Sequence, residues 1–304
     1  MYTKGRRRTQ VVDGIRTRDG RRLTVEEHGD PDGTPVFLLH TTPGCRFGGV
    51  PEEVLAARRD IRFIAYDRPG YGDSDRRPGR RVADAAADVS DVADALGLDR
   101  FSVLGRSGGA PHALACAALL PSRVRRTAAL ASPAPPDTRE LSWFDGMAES
   151  HVQEYTRALT DPLAFAERLA ARAADIRRDP AQLLVSLRDG LTASDRRIVS
   201  DPVVGATLLR NYREALGGSA YGWLDDELAL LSDWGFDPAT ATRPVLLWHG
   251  ALDTISPVGH FKWLADRIPR VRPVLQPDAG HFGAIEALPA VLDWLCSAPG
   301  RATP

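Results

Sequence analysis

Residues 101–109 read Phe101-Ser102-Val103-Leu104-Gly105-Arg106-Ser107-Gly108-Gly109, and the run that follows, Ala110 to Leu120, is rich in alanine and leucine and stops at Pro121. The first four residues are a short apolar stretch of strand type, and the run after the glycines has helical composition. Strand, sharp turn and helix therefore follow one another, with a serine at the apex. A G-x-S-x-G pentapeptide in that setting predicts a nucleophile elbow: the glycines let the backbone turn tightly, and the serine hydroxyl stands out at the end of the sheet. A glycine-rich turn carrying an incidental serine is the plainer reading of the pentapeptide alone. The strand before it and the helix after it favour the nucleophile.

A serine needs a base, and the base needs an orienting acid, in the chain order Ser, Asp or Glu, His. Val245-Leu246-Leu247-Trp248-His249-Gly250 is an apolar strand ending in glycine, with Asp253 just past it and Pro257 closing the loop. Val271 to Leu275 is another short strand, and Asp278-Ala279-Gly280-His281-Phe282 lies at its exit. Each candidate thus follows the carboxyl end of a strand, where open α/β sheets place their sites. A lone loop histidine or turn aspartate is usually structural, but three residues in order at strand exits select Ser107, Asp253 and His281 as the triad. Asp137, after the sixth strand, is the competing acid; it follows a proline-rich stretch, which favours Asp253.

Two further segments fit this arrangement. Val36-Phe37-Leu38-Leu39-His40 is a buried-strand run followed by Thr41-Thr42-Pro43-Gly44. The loop after that strand supplies one oxyanion N–H and the residue after the nucleophile the other, which nominates the amides of Thr42 and Gly108. Arg62 to Asp67 is the next strand, leading into Arg68-Pro69-Gly70-Tyr71-Gly72-Asp73-Ser74. Pro-Gly and Gly-Asp pairs mark turns in any protein, so these segments gain weight from their order relative to the elbow.

Taken together, the motifs at 40–44, 67–74, 105–109, 253 and 281 resemble those of the α/β-hydrolase fold superfamily, over nearly the whole chain except its middle. The oxyanion loop and the Asp67 turn are most similar to those of proline iminopeptidases and their esterase-like relatives. The resemblance implies a capped serine hydrolase with no metal and no organic cofactor. Serine at the elbow sets it apart from haloalkane dehalogenases and epoxide hydrolases, which carry aspartate there. One position departs from the pattern: the family usually has glycine where Thr41 stands. A β-branched residue is costly if that position needs a positive φ, so the loop must be reshaped or must tolerate threonine.

Organisation follows from the motifs. Residues 11–29 alternate and break at Asp19-Gly20, which predicts an antiparallel hairpin. Strands at 36–40, 62–67, 101–105, 127–131, 245–249 and 271–276 complete an eight-stranded, mostly parallel sheet. Helices near 50–59, 83–97, 108–120, 258–267 and 285–296 cover both faces of this α/β fold. Residues 1–132 and 243–304 form the core domain, and 133–242, which lack an obvious strand, form a helical cap inserted after strand 6. Within it Leu163 to Ile176 and Ala181 to Arg188 are helical. Its aromatics, among them Trp143, Tyr155, Tyr212, Trp223 and Trp234, are expected to build a predominantly apolar pocket over Ser107 or to pack the cap on the core. Its acids Glu149, Glu154, Asp225, Asp226 and Glu227 read as a solvated helix face.

A chain of 304 residues buries roughly three-quarters of its unfolded surface and needs no disulfide. The net charge of −1 gives no electrostatic case for nucleic acid or membrane partners. The basic residues are almost all arginine. Cys45, Cys116 and Cys296 lack metal-ligand spacing; Cys116 reads as core packing, and Cys45 as either a pocket residue or a buried filler. Arg6-Arg7-Arg8 precedes no apolar segment, so a cytoplasmic protein acting on a small molecule is expected, of undetermined oligomeric state. The expected chemistry is two-step hydrolysis of a carboxylic ester of a small, largely apolar substrate. The alternatives are a proline-iminopeptidase-like aminopeptidase, a natural-product tailoring hydrolase or cyclase, and a ligand-binding protein on a retained fold.

Overall fold

The computed structural model describes residues 10–47, 51, 54, 58, 60–138, 140–179, 181–182 and 190–297. The helices expected near 50–59 and at 181–188 fall largely outside these residues. Strands β1 (Gln10–Arg16) and β2 (Arg22–Gly29) form the expected hairpin. It is closed by hydrogen bonds between Thr17 and Arg21 with Gly20 at φ +88°. Then come β3 (Thr34–Leu39), β4 (Ile61–Tyr66), β5 (Phe101–Arg106), β6 (Val124–Leu130), β7 (Val245–Gly250) and β8 (Val271–Gln276).

All eight strands lie in one sheet, ordered β1-β2-β4-β3-β5-β6-β7-β8. The pairs β1/β2 and β2/β4 are antiparallel and the rest parallel. Every residue of β5 and β7 is buried, as near-continuous apolar strands between two helical layers must be. On one face Phe37, Leu39, Ile64 and Val103 pack against α1 (Asp84–Ala95) and α2 (Gly109–Leu119). Leu247 meets α8 (Val258–Arg267) on the same face. The alternate residues Val36, Leu38, Leu104 and Leu130 join a second cluster with Val291, Leu292 and Leu295 of α9 (Leu288–Cys296). This period-two division is what a sheet covered on both faces requires.

Between β6 and β7 lie α3 (Glu149–Thr160), α4 (Pro162–Arg178), α5 (Ala193–Val199), α6 (Pro202–Leu216) and α7 (Tyr221–Leu230). Three of their starts are encoded locally. Asp161 and Asp201 each precede a proline at the first helical position and accept amide hydrogens of the first turn. At α5 the Thr192 side chain likewise accepts a first-turn amide, that of Asp195. Phe165, Leu169, Ala173 and Ile176 make a helical stripe along α4. That stripe packs with Leu208, Tyr212 and Leu216 of α6 into the same cluster as the sheet residues Leu38, Leu104 and Leu130.

Register brings the strand ends together. Leu39 lies beside Gly105, Arg106 beside Leu130, Leu130 beside Trp248, and Gly250 beside Gln276. The loops leaving β3, β5, β7 and β8 therefore open at one edge of the sheet.

Candidate active site

Ser107 has φ +54°, the left-handed region that a non-glycine residue enters only under constraint. The constraint is visible on both sides. The Ser107 amide donates to the carbonyl of Leu130 on β6 at 2.8 Å, and helix α2 begins two residues later. A Cβ on Gly105 would strike the Gly109 carbonyl, and one on Gly109 would strike the carbonyls of Leu39 and His40. Only glycine fits at both outer positions of the pentapeptide, and the turn throws the Ser107 side chain into the cavity beyond the sheet.

His281 meets it there, with Nε2 2.9 Å from Ser107 Oγ. Its Nδ1–H donates to Asp253 Oδ2 at 2.7 Å, which leaves Nε2 as the acceptor for the serine O–H. The other carboxylate oxygen, Oδ1, accepts the amides of Ile255 and Ser256 at 2.8 and 2.9 Å. Burial pushes the Asp253 carboxyl up, but His281, with His249 and the Ser256 amide, outweighs it and holds it below the usual carboxylate range. The competitor Asp137 is exposed.

The amides nominated for an oxyanion hole also lie together. A Cβ on Gly108 would sit 3.2 Å from the Thr42 nitrogen and collide with the Thr42 side chain. Thr41, where glycine was expected, is not among the residues with positive φ, and its hydroxyl donates to the Pro43 carbonyl at 2.9 Å. Threonine is therefore accommodated without backbone strain. Beneath this loop the buried imidazole of His40 donates from Nδ1 to the Thr41 carbonyl and accepts the Arg68 amide on Nε2. Burial and the Arg68 charge keep it neutral.

The acids expected on a solvated face divide. Glu149 is exposed, but Asp225 and Asp226 are buried. Asp226 accepts from Thr42 Oγ1 at 2.7 Å, from Tyr71 Oη at 2.9 Å and from Arg68 at 2.5 Å, and Arg80 lies 2.6 Å away. Burial raises its carboxyl, and the two guanidinium groups overcome that and hold it well below the ordinary range. A helix between β6 and β7 is thus tied to the loop bearing Thr42. Asp195 on α5 is a second such tie: it accepts the amides of His281 and Phe282 at 3.0 and 2.7 Å. Sequence reading missed both roles, although Thr192-Ala193-Ser194-Asp195 has capping-box spacing that marked a fixed helix start.

The cavity over Ser107 has a volume of about 200 Å³. Tyr155, Tyr212 and Trp223 line it, as expected of some of the aromatics, but so do Arg106, His151, Glu154, Arg172 and Glu227. The predominantly apolar pocket is therefore not what the chain builds. Arg172 pairs with Glu154 at 3.2 Å. Glu227 accepts from Trp223 Nε1 at 3.0 Å, and burial, reinforced by the Glu154 charge, raises its carboxyl to about 8. Cys45 is fully buried with its amide on Asn211 Oδ1, which makes it a filler and not a pocket residue. Among the described residues no group of three His, Cys, Asp or Glu could hold a metal ion. No helix among them is long and apolar enough to cross a membrane.

Comparison with known proteins agrees with this architecture. A family model described as the alpha/beta hydrolase fold matches residues 34–288. The chain is 29% identical over 266 residues to a pimeloyl-[acyl-carrier protein] methyl ester esterase of Nitrosomonas europaea, covering 85% of this chain and 92% of that one. It is 25% identical over 287 residues to a probable proline iminopeptidase of Leptolyngbya boryana, covering 85% and 84% respectively. Among solved structures, an esterase from Exiguobacterium antarcticum superposes with a TM-score of 0.66 at 20% identity, over 94% of this chain and 99% of that one.

Proposed function

The chain belongs to the alpha/beta hydrolase fold family, and from that premise we propose that it is a serine hydrolase cleaving the carboxylic ester of a small molecule through an acyl-enzyme. The observation that carries this reading is the continuous chain of hydrogen bonds from Ser107 Oγ through His281 to Asp253. His281 Nε2 takes the hydroxyl proton as Ser107 Oγ attacks the carbonyl carbon. Asp253 fixes the imidazole tautomer and stabilises the imidazolium. The amides of Thr42 and Gly108 stabilise the tetrahedral oxyanion, each worth about 3 kcal/mol in comparable sites. His281 then protonates the leaving alcohol. In the second half-reaction it deprotonates the water that cleaves the Ser107 ester. Residues 133–242 act as a cap: α3, α4, α6 and α7 give Tyr155, Arg172, Tyr212 and Trp223 to the cavity roof.

A proline-iminopeptidase-like aminopeptidase is the second reading, favoured by Glu154 and Glu227 facing the cavity. A protonated amine beside Glu227 would draw the carboxyl into its charged form. Two substrates separate the readings. The esterase reading expects kcat/KM on p-nitrophenyl acetate to exceed that on proline-p-nitroanilide. A preference for the anilide, lost in Glu227→Gln, would reverse the assignment.

A further inference from the structure

Arg106, the residue before the nucleophile in the pentapeptide, is only 5% exposed and lines the cavity that holds Ser107. Its guanidinium lies 5.8 Å from the ring centroid of Phe282. Among the described residues no carboxylate pairs with it, and its side chain donates no hydrogen bond. Burial lowers its proton affinity, but a guanidinium stays charged at any ordinary pH. The guanidinium nitrogens have no hydrogen-bond partner among the described residues yet are not fully buried, so its N–H donors remain open to an anion entering from the side of Ser107.

Among the described residues, the other charges around the cavity do not supply that anion. Arg172 and Glu154 neutralise each other. Glu227, raised to about 8, is mostly protonated at neutral pH. Burial keeps His151 uncharged. Asp253 is committed to His281 and two amides behind it. Among the described residues one positive charge is left over, on the residue adjoining the nucleophile.

We propose that Arg106 is an anion subsite and that the physiological substrate is an ester bearing a carboxylate, which the planar guanidinium binds in a two-point contact while Ser107 attacks the ester carbonyl. This inference rests on the acyl-transfer reading of the same cavity. Among the described residues Arg106 has no carboxylate partner, so the substrate carboxylate pairs with it without breaking an ion pair.

The test compares esters that differ only in that charge: monomethyl adipate with dimethyl adipate, and 4-acetoxybutanoate with its methyl ester. In the wild type at least one of the two pairs is expected to favour the carboxylate in kcat/KM by on the order of tenfold or more. Arg106→Gln should abolish that preference, and Arg106→Lys should retain part of it, which separates lost charge from lost packing. Hydrolysis of the neutral esters with no carboxylate preference in either pair, or a preference unchanged in Arg106→Gln, overturns the inference and leaves the hydrolase reading standing. If no ester is turned over, the hydrolase reading fails. Calorimetric binding of the same carboxylate esters to Ser107→Ala, compared with the Ser107→Ala/Arg106→Gln double variant, then decides the inference. Binding that depends on Arg106 upholds it, and its absence ends it.

Discussion

At Ser107 the left-handed backbone, φ +54°, is a local strain that the surrounding turn enforces. Ser107→Ala and Ser107→Gly both lack the attacking atom and should both be inactive. They differ in strain: glycine enters this region freely, so Ser107→Gly should be more stable than Ser107→Ala by about 1 kcal/mol in urea unfolding, although glycine is otherwise the less favourable residue. Equal stabilities would mean that the elbow carries no strain. At Asp253 the amides of Ile255 and Ser256 would hold the oxygen of an asparagine and turn its NH₂ toward His281. The imidazole would then lose its Nδ1–H tautomer. Asp253→Asn is expected to lower kcat by about four orders of magnitude with little change in fold, and near-normal kinetics would refute the role. Glu227 gives a pH signature. Its carboxyl is raised to about 8 in the folded chain, whereas unfolded it titrates near its ordinary value of 4.5. Between those values the folded chain binds more protons, so stability contributed by this group is complete below about pH 4 and falls as pH rises toward 8. Glu227→Gln should therefore raise Tm at pH 8 and leave it unchanged at pH 4; a Tm difference independent of pH would contradict that account.

Among the elements, α7 presents three consecutive acids to three different surroundings. Asp225 pairs with Arg76, Asp226 with Arg68 and Arg80, and Glu227 faces the cavity. Asp226→Asn would leave two buried guanidinium groups without their counter-charge, at a cost of about 3 kcal/mol or more in unfolding free energy. Thr42→Val removes only one hydrogen bond to the same carboxylate and should cost about 1 kcal/mol. Equal losses in the two variants would mean that the ion cluster contributes nothing beyond that bond. Sequence alone left these partners invisible for a physical reason. Arg68 and Thr42 reach Asp226 across most of the chain, and a helix with acids at successive positions looks the same whether water or arginine meets it. The strands behaved differently: β5 and β7 are short apolar runs bounded by glycine or turn residues, and burial on both faces leaves that pattern in the residues themselves.

For the molecule as a whole, the order of motifs along the chain specified the sheet, and the sheet register brings Ser107, Asp253 and His281 together at one edge. Those three residues were legible because each lies at a strand exit with its own turn chemistry. The cavity above them was not, because its character depends on which faces of α3, α4, α6 and α7 turn inward. Arg106 stood in plain view inside the pentapeptide, yet only the lack of a carboxylate partner among the described residues gives it meaning. The central claim is that Ser107 is a covalent nucleophile activated by His281 and Asp253. It is tested most directly by intact-mass analysis after reaction with a fluorophosphonate. The account predicts a single adduct on the peptide containing Ser107, slow to form in Asp253→Asn and absent from Ser107→Ala. An unmodified wild-type protein, or an adduct that persists in Ser107→Ala, would contradict it.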